Sequence, residues 1–215
     1  MQHQPPIAAN THETALTEWL LRAFALLLFG MAVFRMTAAW VADPTRWTLL
    51  LFILTEGYTL VLLLVARRAL VRDLSPLAMA ATLYAVFYYV LLDPSGTTRL
   101  LPESVGVGLM LVGAACQFSA KVVLGRSFGI LPAYRSQIVV AGPYRLVRHP
   151  IYLGYLIGHV GVLLTSFSLQ NLAVMVLLYV SQAVRIQREE VVLCGVEAYR
   201  AYQQRVRWRL LPGVF

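Results

Sequence analysis

Apolar residues come in long runs along this chain, and short breaks rich in Asp, Pro, Ser and Gly make their order readable. The first run covers 16–41, carries Arg22 and Arg35, and stops at Asp43-Pro44. The second, 47–66, has Glu56 as its only charge. At about 1.5 Å rise per residue it reaches across about 30 Å, the thickness of a bilayer's hydrocarbon core. A third run, 74–92, ends at Asp93-Pro94-Ser95-Gly96, and a fourth, 105–124, ends where Lys121 and Arg126 appear. Residues 125–149 break the pattern: GRSFGILPAYRSQIVVAGPYRLVRH is polar and punctuated by Gly and Pro, too interrupted to span anything. Long ordered loops of this kind are usually functional. Two shorter runs, 151–167 and 169–184, flank a turn at 166–170 and predict a tilted helical hairpin. From Arg185 to Phe215 charges mix with apolar residues, as in an interfacial or cytosolic helix.

Composition decides what solvent these runs meet. The 215 residues are 59% apolar and only 13% charged, with a mean hydropathy of +0.69. A water-soluble domain carries about 25% charged residues, so the chain is read as an all-α integral membrane helical bundle of five to six spans. Residues 1–15 are a polar N-terminal tail without the basic start and short apolar core of a cleaved signal. Residues 16–124 form the N-terminal transmembrane helices, and 125–215 hold the polar features that carry chemistry. Cys116 and Cys194 form no CxxC and no Cys/His cluster, so both are read as packing residues and no metal is expected.

The net charge of +8 is distributed unevenly. With six spans, segments 67–73, 121–149 and 185–215 share one side with the N-terminus and hold fourteen of the 18 basic residues. That side is then cytoplasmic, with both termini on it. Most of the excess sets orientation, and nucleic acid is not an expected partner because no soluble module presents the charge.

Several polar groups converge on that face. Arg148-His149-Pro150-Ile151-Tyr152 sits where loop becomes helix, and Pro is at home in a first helical turn. The free N–H groups of that turn, with the helix dipole behind them, suit an anionic group of a ligand beside His149 and Arg148. The alternative is that His149 only caps the helix and Arg148 reaches lipid headgroups. Gly154 and Gly158, four apart, read as a close helix contact. Arg185 and Glu189 share a helix face. The adjacent Glu189-Glu190 pair at a span end needs a cation: either nearby arginines neutralise it, or a carboxylate faces a ligand's positive centre or ribose hydroxyls while Arg185 faces an anionic substrate. Glu56, in mid-span, needs a polar cavity or a partner such as Arg22 or Arg35. His159 reads as a satisfied core histidine, and Tyr84, Tyr88 and Tyr89 as packing and interface aromatics.

The string GPYRLVRHPIYLGY, followed by REEVVLCGVEAYRAYQQRV and then LPGVF, resembles the isoprenylcysteine carboxyl methyltransferase family. That family is part of a wider group of membrane methyltransferases that includes phosphatidylethanolamine N-methyltransferases. The resemblance covers 124–215. It implies an S-adenosyl-L-methionine pocket at the cytoplasmic face, built from the polar loop, the RHPxY helix start and the Glu-pair helix. Gln137, Ile138 and Val139 match loop positions that contact the cofactor in that family, and Tyr144 matches its loop tyrosine. His149, Pro150, Ile151 and Tyr152 match the HPxY core, with Arg148 beside it. Glu189 matches the cofactor carboxylate, with Glu190 next to it, and Arg185 matches an arginine assigned to the substrate carboxylate. The connection between Leu193 and Tyr199 is shorter than in the eukaryotic enzymes, and RSFGILPAYR ahead of the motif differs from theirs, which leaves the acceptor open.

Methyl transfer from a sulfonium is an in-line displacement, so alignment is the main task, worth up to about 7–11 kcal/mol. No metal or covalent intermediate is required. Arg185 and Glu190 are the catalytic candidates: Arg185 positions an ionised carboxylate acceptor, whereas an amine acceptor needs a base such as Glu189 or Glu190. A lipophilic carboxylate, thiol or amine acceptor enters from the bilayer and the cofactor from the cytoplasm. Two other readings stand beside this one. An NADPH-dependent reductase of the sterol-reductase type shares an RHPxY element, but Ile151 and Tyr155 stand where those enzymes usually show Asn and an acidic residue. A non-enzymatic membrane protein leaves the polar loop and the Glu pair without a purpose.

Overall fold

A computed structural model of the chain describes residues 15–42, 44, 47–92 and 98–215. The expected N-terminal tail and the breaks at Asp43 and at 93–96 lie outside the described residues. The described chain is helical almost throughout: α1 (Ala15–Ala42), α2 (Trp47–Val65), α3 (Pro76–Phe87), α4 (Glu103–Leu124), α5 (Pro150–Thr165), α6 (Leu169–Leu193) and α7 (Glu197–Arg205). Two-residue strands β1 (Val71–Arg72) and β2 (Ala133–Tyr134) pair antiparallel. Segments of α1, α4 and α6 are long and apolar enough to cross a membrane, and shorter apolar helices accompany them. The protein is an all-α integral membrane protein.

Local chemistry sets the boundaries. Ser75 Oγ accepts from the Ala78 N–H at 3.3 Å and Pro76 opens α3; Ser168 Oγ caps α6 through the Asn171 N–H at 3.0 Å. Such caps satisfy donors that a helix start otherwise leaves bare. At the other end of α4, Gly125 takes φ 51°, a left-handed conformation open to a residue without Cβ.

Helix α6 corrects the expected run 169–184. Nothing in Arg185-Ile186-Gln187-Arg188-Glu189-Glu190 breaks a helix, so it continues unbroken to Leu193. The expected hairpin is an open one: α5 and α6 run antiparallel, but α5 packs mainly on α4 and α6 mainly on α3, so the two consecutive helices meet over little of their length. Glycines make the first of these contacts close. A Cβ on Gly113 of α4 would stand 2.6 Å from the carbonyl oxygen of Gly154 and from the amide nitrogen of Gly158. One on Gly161 would stand 2.6 Å from the carbonyl oxygen of Gly106. The α4–α5 seam is thus backbone on backbone.

One end of the bundle carries a cap of loops. The Arg67 and Leu70 amides donate to the carbonyls of Arg126 and Tyr134, and the β1–β2 pair extends this join between the 66–75 connection and the polar loop. Arg188 of α6 bonds Asp73 on the same connection. Beneath the cap, Leu62, Leu63, Ala120, Phe128, Tyr144, Ile151, Tyr199 and Tyr202 form one buried cluster.

Candidate active site

The Arg148-His149-Pro150 segment starts α5 and is held by the C-terminal tail. The Arg148 and His149 amides donate to the carbonyls of Trp208 and Arg209, each at 2.9 Å. The Arg148 guanidinium donates to the carbonyls of Val206 and Arg207 at 2.7 Å, and through Nε to Glu190 Oε1 at 2.7 Å. Arg148 is therefore buried inside the cap, not extended to headgroups. His149 Nε2 lies 3.3 Å from the same Glu190 oxygen, Arg209 Nε donates to Glu190 Oε2 at 2.8 Å, and the Tyr199 hydroxyl completes the shell at 3.4 Å.

Beside this knot opens a cavity of about 1390 Å³ of empty space, its mouth included. Gln137, Ile138, Val139 and Tyr144 of the polar loop, Arg148 and His149, Ile151 and Tyr152 of α5, and Arg185 and Glu189 of α6 all line it. The Tyr152 hydroxyl donates to Glu189 Oε2 at 3.3 Å, and the Arg185 guanidinium lies 5.3 Å above the Tyr152 ring. Arg185 is fixed further by Gln182 Oε1 and the Ile130 carbonyl, both at 2.7 Å, while its Nε is buried without a partner. Tyr144 is buried in the wall; burial, and after it the negative charge of Glu189, pushes its phenol well above the ordinary range.

Tyr152 meets Glu189 and, farther along, His159 meets Tyr179, so α5 and α6 run antiparallel along the cavity. From Glu189 back to Gln182 is two helical turns, about 10 Å. At this inner end stand Phe29 of α1, Glu56 and Thr59 of α2, Ala85 and Tyr88–Tyr89 after and within α3, and Tyr155 of α5. Glu56 finds neither Arg22 nor Arg35. It pairs with Lys121 at 3.8 Å and accepts from the Tyr155 hydroxyl at 3.4 Å, with its second oxygen buried and unpaired. Lys121 belongs to this interior and not to the charged face: it is 1% exposed and donates to Thr59 Oγ1 at 2.8 Å. The floor is a satisfied triad, as expected for His159, whose ring nitrogens lie 2.7 Å from the Tyr179 hydroxyl and 2.8 Å from that of Tyr88.

Two of the expected site residues stay outside the cavity. Pro150 is buried in the first turn of α5. Glu190, expected to act beside Arg185, is corrected: one residue turns a helix by about 100°, so with Glu189 facing the cavity Glu190 faces the tail and its cations. The seam bears out the glycine reading, since Gly113 of α4 approaches the backbone of both Gly154 and Gly158, although a Cβ on Gly158 itself would meet nothing within 4 Å. Tyr88 and Tyr89 line the cavity as well as pack. Tyr155 was findable, one turn beyond Tyr152 on the same helix face; Lys121 and Arg209 carry no local signal that brings them to Glu56 and Glu190.

No curated protein matches the chain. Residues 102–200 match the phospholipid methyltransferase family, which belongs to the wider group of methyltransferases that also includes the isoprenylcysteine carboxyl methyltransferases.

Proposed function

We propose that the protein is an S-adenosyl-L-methionine-dependent methyltransferase acting on a lipophilic carboxylate, thiol or amine. The observation that carries this reading is one cavity with two unlike ends: polar groups of the loop, α5 and α6 at the capped end, and Phe29, Ala85, Val86, Tyr88 and Tyr89 around the paired Glu56 at the inner end, with Arg185 between them. The residues present suit the cofactor. Glu189 is a carboxylate for a positive centre or ribose hydroxyls, the start of α5 presents N–H groups to an anionic group, and Ile138, Val139 and Tyr144 offer a flat apolar wall. When bound, the cofactor supplies an electrophilic methyl on a sulfonium.

The chain's own residues hold and orient. Arg185, anchored by Gln182 and Ile130 and stacked on Tyr152, keeps an unpaired buried Nε–H. It is suited to hold an acceptor carboxylate in line, a geometric contribution of up to about 7–11 kcal/mol. With an amine acceptor the proton must pass to a base, and Glu189 is the cavity carboxylate nearest that end, because Glu190 is enclosed by Arg148, His149 and Arg209. Tyr88, held by His159, lines the inner end. Whether the acceptor is an isoprenylcysteine carboxylate or a phospholipid amine, this arrangement asks for an apolar body toward α1 to α3.

Calorimetry on protein purified in detergent tests the reading. Binding of S-adenosyl-L-methionine and its demethylated product, without binding of NADPH, is the expected result. Binding of NADPH alone overturns it. A labelled methyl donor with a lipid extract then identifies the acceptor.

A further inference from the structure

A second cavity lies outside the catalytic one. Around the last turn of α2, at Leu64, Val65 and Ala66, four arginines converge from three parts of the chain: Arg22 of α1, Arg67 and Arg68 after α2, and Arg126 after α4. They border a cleft of about 930 Å³ of empty space, mouth included, with no acidic residue in its lining among the described residues. Two are held by the bare carbonyls at the helix end: Arg22 donates to the Ala66 carbonyl at 2.7 Å and Arg126 to that of Val65 at 3.0 Å. A guanidinium has five N–H donors, so Arg126, anchored through Nε, still presents others. Arg67, Arg68 and Arg126 are exposed.

The cleft continues into an apolar groove, with which it shares Arg22 and Ala66. The groove runs between Phe24, Ala25 and Leu28 of α1, Leu63 of α2, and Met79 and Leu83 of α3, with Arg72 of β1 and Arg135 after β2 also in its lining. Four cations at the ends of membrane helices, opening onto an apolar channel between those helices, match a molecule with a phosphate at one end and a hydrocarbon chain at the other. A free anion would have no use for the channel, and an apolar lipid none for the arginines. We propose that this cleft and groove hold one anionic phospholipid, its phosphate on Arg67, Arg68 and Arg126 and an acyl chain along α1 and α3. Phe128, Gly129 and Ile130 line both this groove and the catalytic cavity. The bound lipid therefore backs a wall of the active site without being the molecule methylated.

The test uses the full chain in phosphatidylcholine nanodiscs, without methyl donor, titrated with dioleoylphosphatidylglycerol and read by native mass spectrometry as retained lipid. That probe has no amine, thiol or carboxylate, so its binding is independent of the methyl-transfer reading and of any acceptor. Phosphatidylglycerol is expected to be retained about tenfold better than phosphatidylcholine, and Arg67→Ala/Arg68→Ala, which removes two exposed charges, is expected to erase most of that preference. Met79→Trp, which fills the groove and leaves every arginine in place, is expected to reduce retention too. Equal retention of the two lipids, or wild-type retention in the double variant, overturns the site. Wild-type retention in Met79→Trp overturns the chain's place in the groove, and complete displacement by millimolar inorganic phosphate shows a free-anion site instead.

Discussion

Arg148 Nε donates to Glu190 Oε1 at 2.7 Å, and both side chains are less than a tenth exposed. The pair ties the start of α5 to the last turns of α6, and the remaining N–H groups of Arg148 tie both to the tail. A carboxylate met by Arg148, Arg209 and His149 is a structural anchor for the groups that line the cavity.

Removing either Arg148 or Glu190 leaves the other charged and buried, a loss of about 3–5 kcal/mol in comparable pairs. Glu190→Gln and Arg148→Ala are each expected to lower the thermal midpoint in detergent strongly, with cofactor affinity of the folded fraction of Glu190→Gln near that of the wild type. A Glu190→Gln protein of normal stability and no turnover would return Glu190 to a catalytic role.

Roles within the cavity divide differently. Glu189→Gln and His149→Ala are expected to weaken S-adenosyl-L-methionine binding, whereas Arg185→Ala keeps it near normal and suppresses turnover. Arg185→Lys is expected to rescue little, since a lysine cannot serve Gln182, the Ile130 carbonyl and the Tyr152 face together. Equal loss of affinity in all three would remove the proposed division.

The glycine seam offers a paired comparison. Gly113→Ala sets a methyl 2.6 Å from the backbone of Gly154 and Gly158, while Gly158→Ala meets nothing within 4 Å. Overpacking of this kind costs about 1–3 kcal/mol, so thermal unfolding should separate the two variants clearly. A Gly113→Ala protein as stable as Gly158→Ala would show that α4 and α5 do not touch through their backbones.

Asp73 gives the cap a pH dependence. Burial raises its carboxyl pKa, but hydrogen bonds from Arg188 and Ser75 outweigh burial and hold it below its ordinary 3.8. A carboxyl depressed in the folded state stabilises above its unfolded value and loses that contribution as pH falls through the folded one. The Asp73 contribution is thus full above 3.8 and fades below it. In thermal unfolding from pH 6 down to about pH 2, Asp73→Asn should be less stable at the upper end and converge with the wild type at the lower. Parallel curves would dissociate Asp73 from the acid limb.

Much of this was legible in the chain because a bilayer demands long apolar runs, and α1, α2 and α4 begin and end within two residues of them. Gln137, His149, Tyr152 and Glu189 line one cavity; the last three lie in the quoted motifs, whereas Gln137 was marked only by the resemblance of the loop ahead of them. Hydropathy misread α6 for a physical reason: it scores Arg185, Glu189 and Glu190 as solvent-seeking, whereas those residues turn toward a cavity and a cation knot and the helix simply continues. Lys121 was misread in the same way, its burial depending on Glu56 and Thr59 on a different helix. The tail's return to Arg148 rests on backbone carbonyls, which no side-chain pattern announces.

The seam of Gly106, Gly113, Gly154 and Gly161 sorts the bundle into parts that can and cannot yield. At these glycines α4 and α5 meet backbone against backbone, so sliding one along the other would drive backbone into backbone. Helix α6 touches α5 chiefly through hydroxyl, carboxylate and imidazole tips, contacts that can be exchanged for water or for a ligand's own groups. Widening the cavity to admit or release a bulky molecule thus falls to α6 and its neighbour α3, with the α4–α5 pair as the fixed jaw.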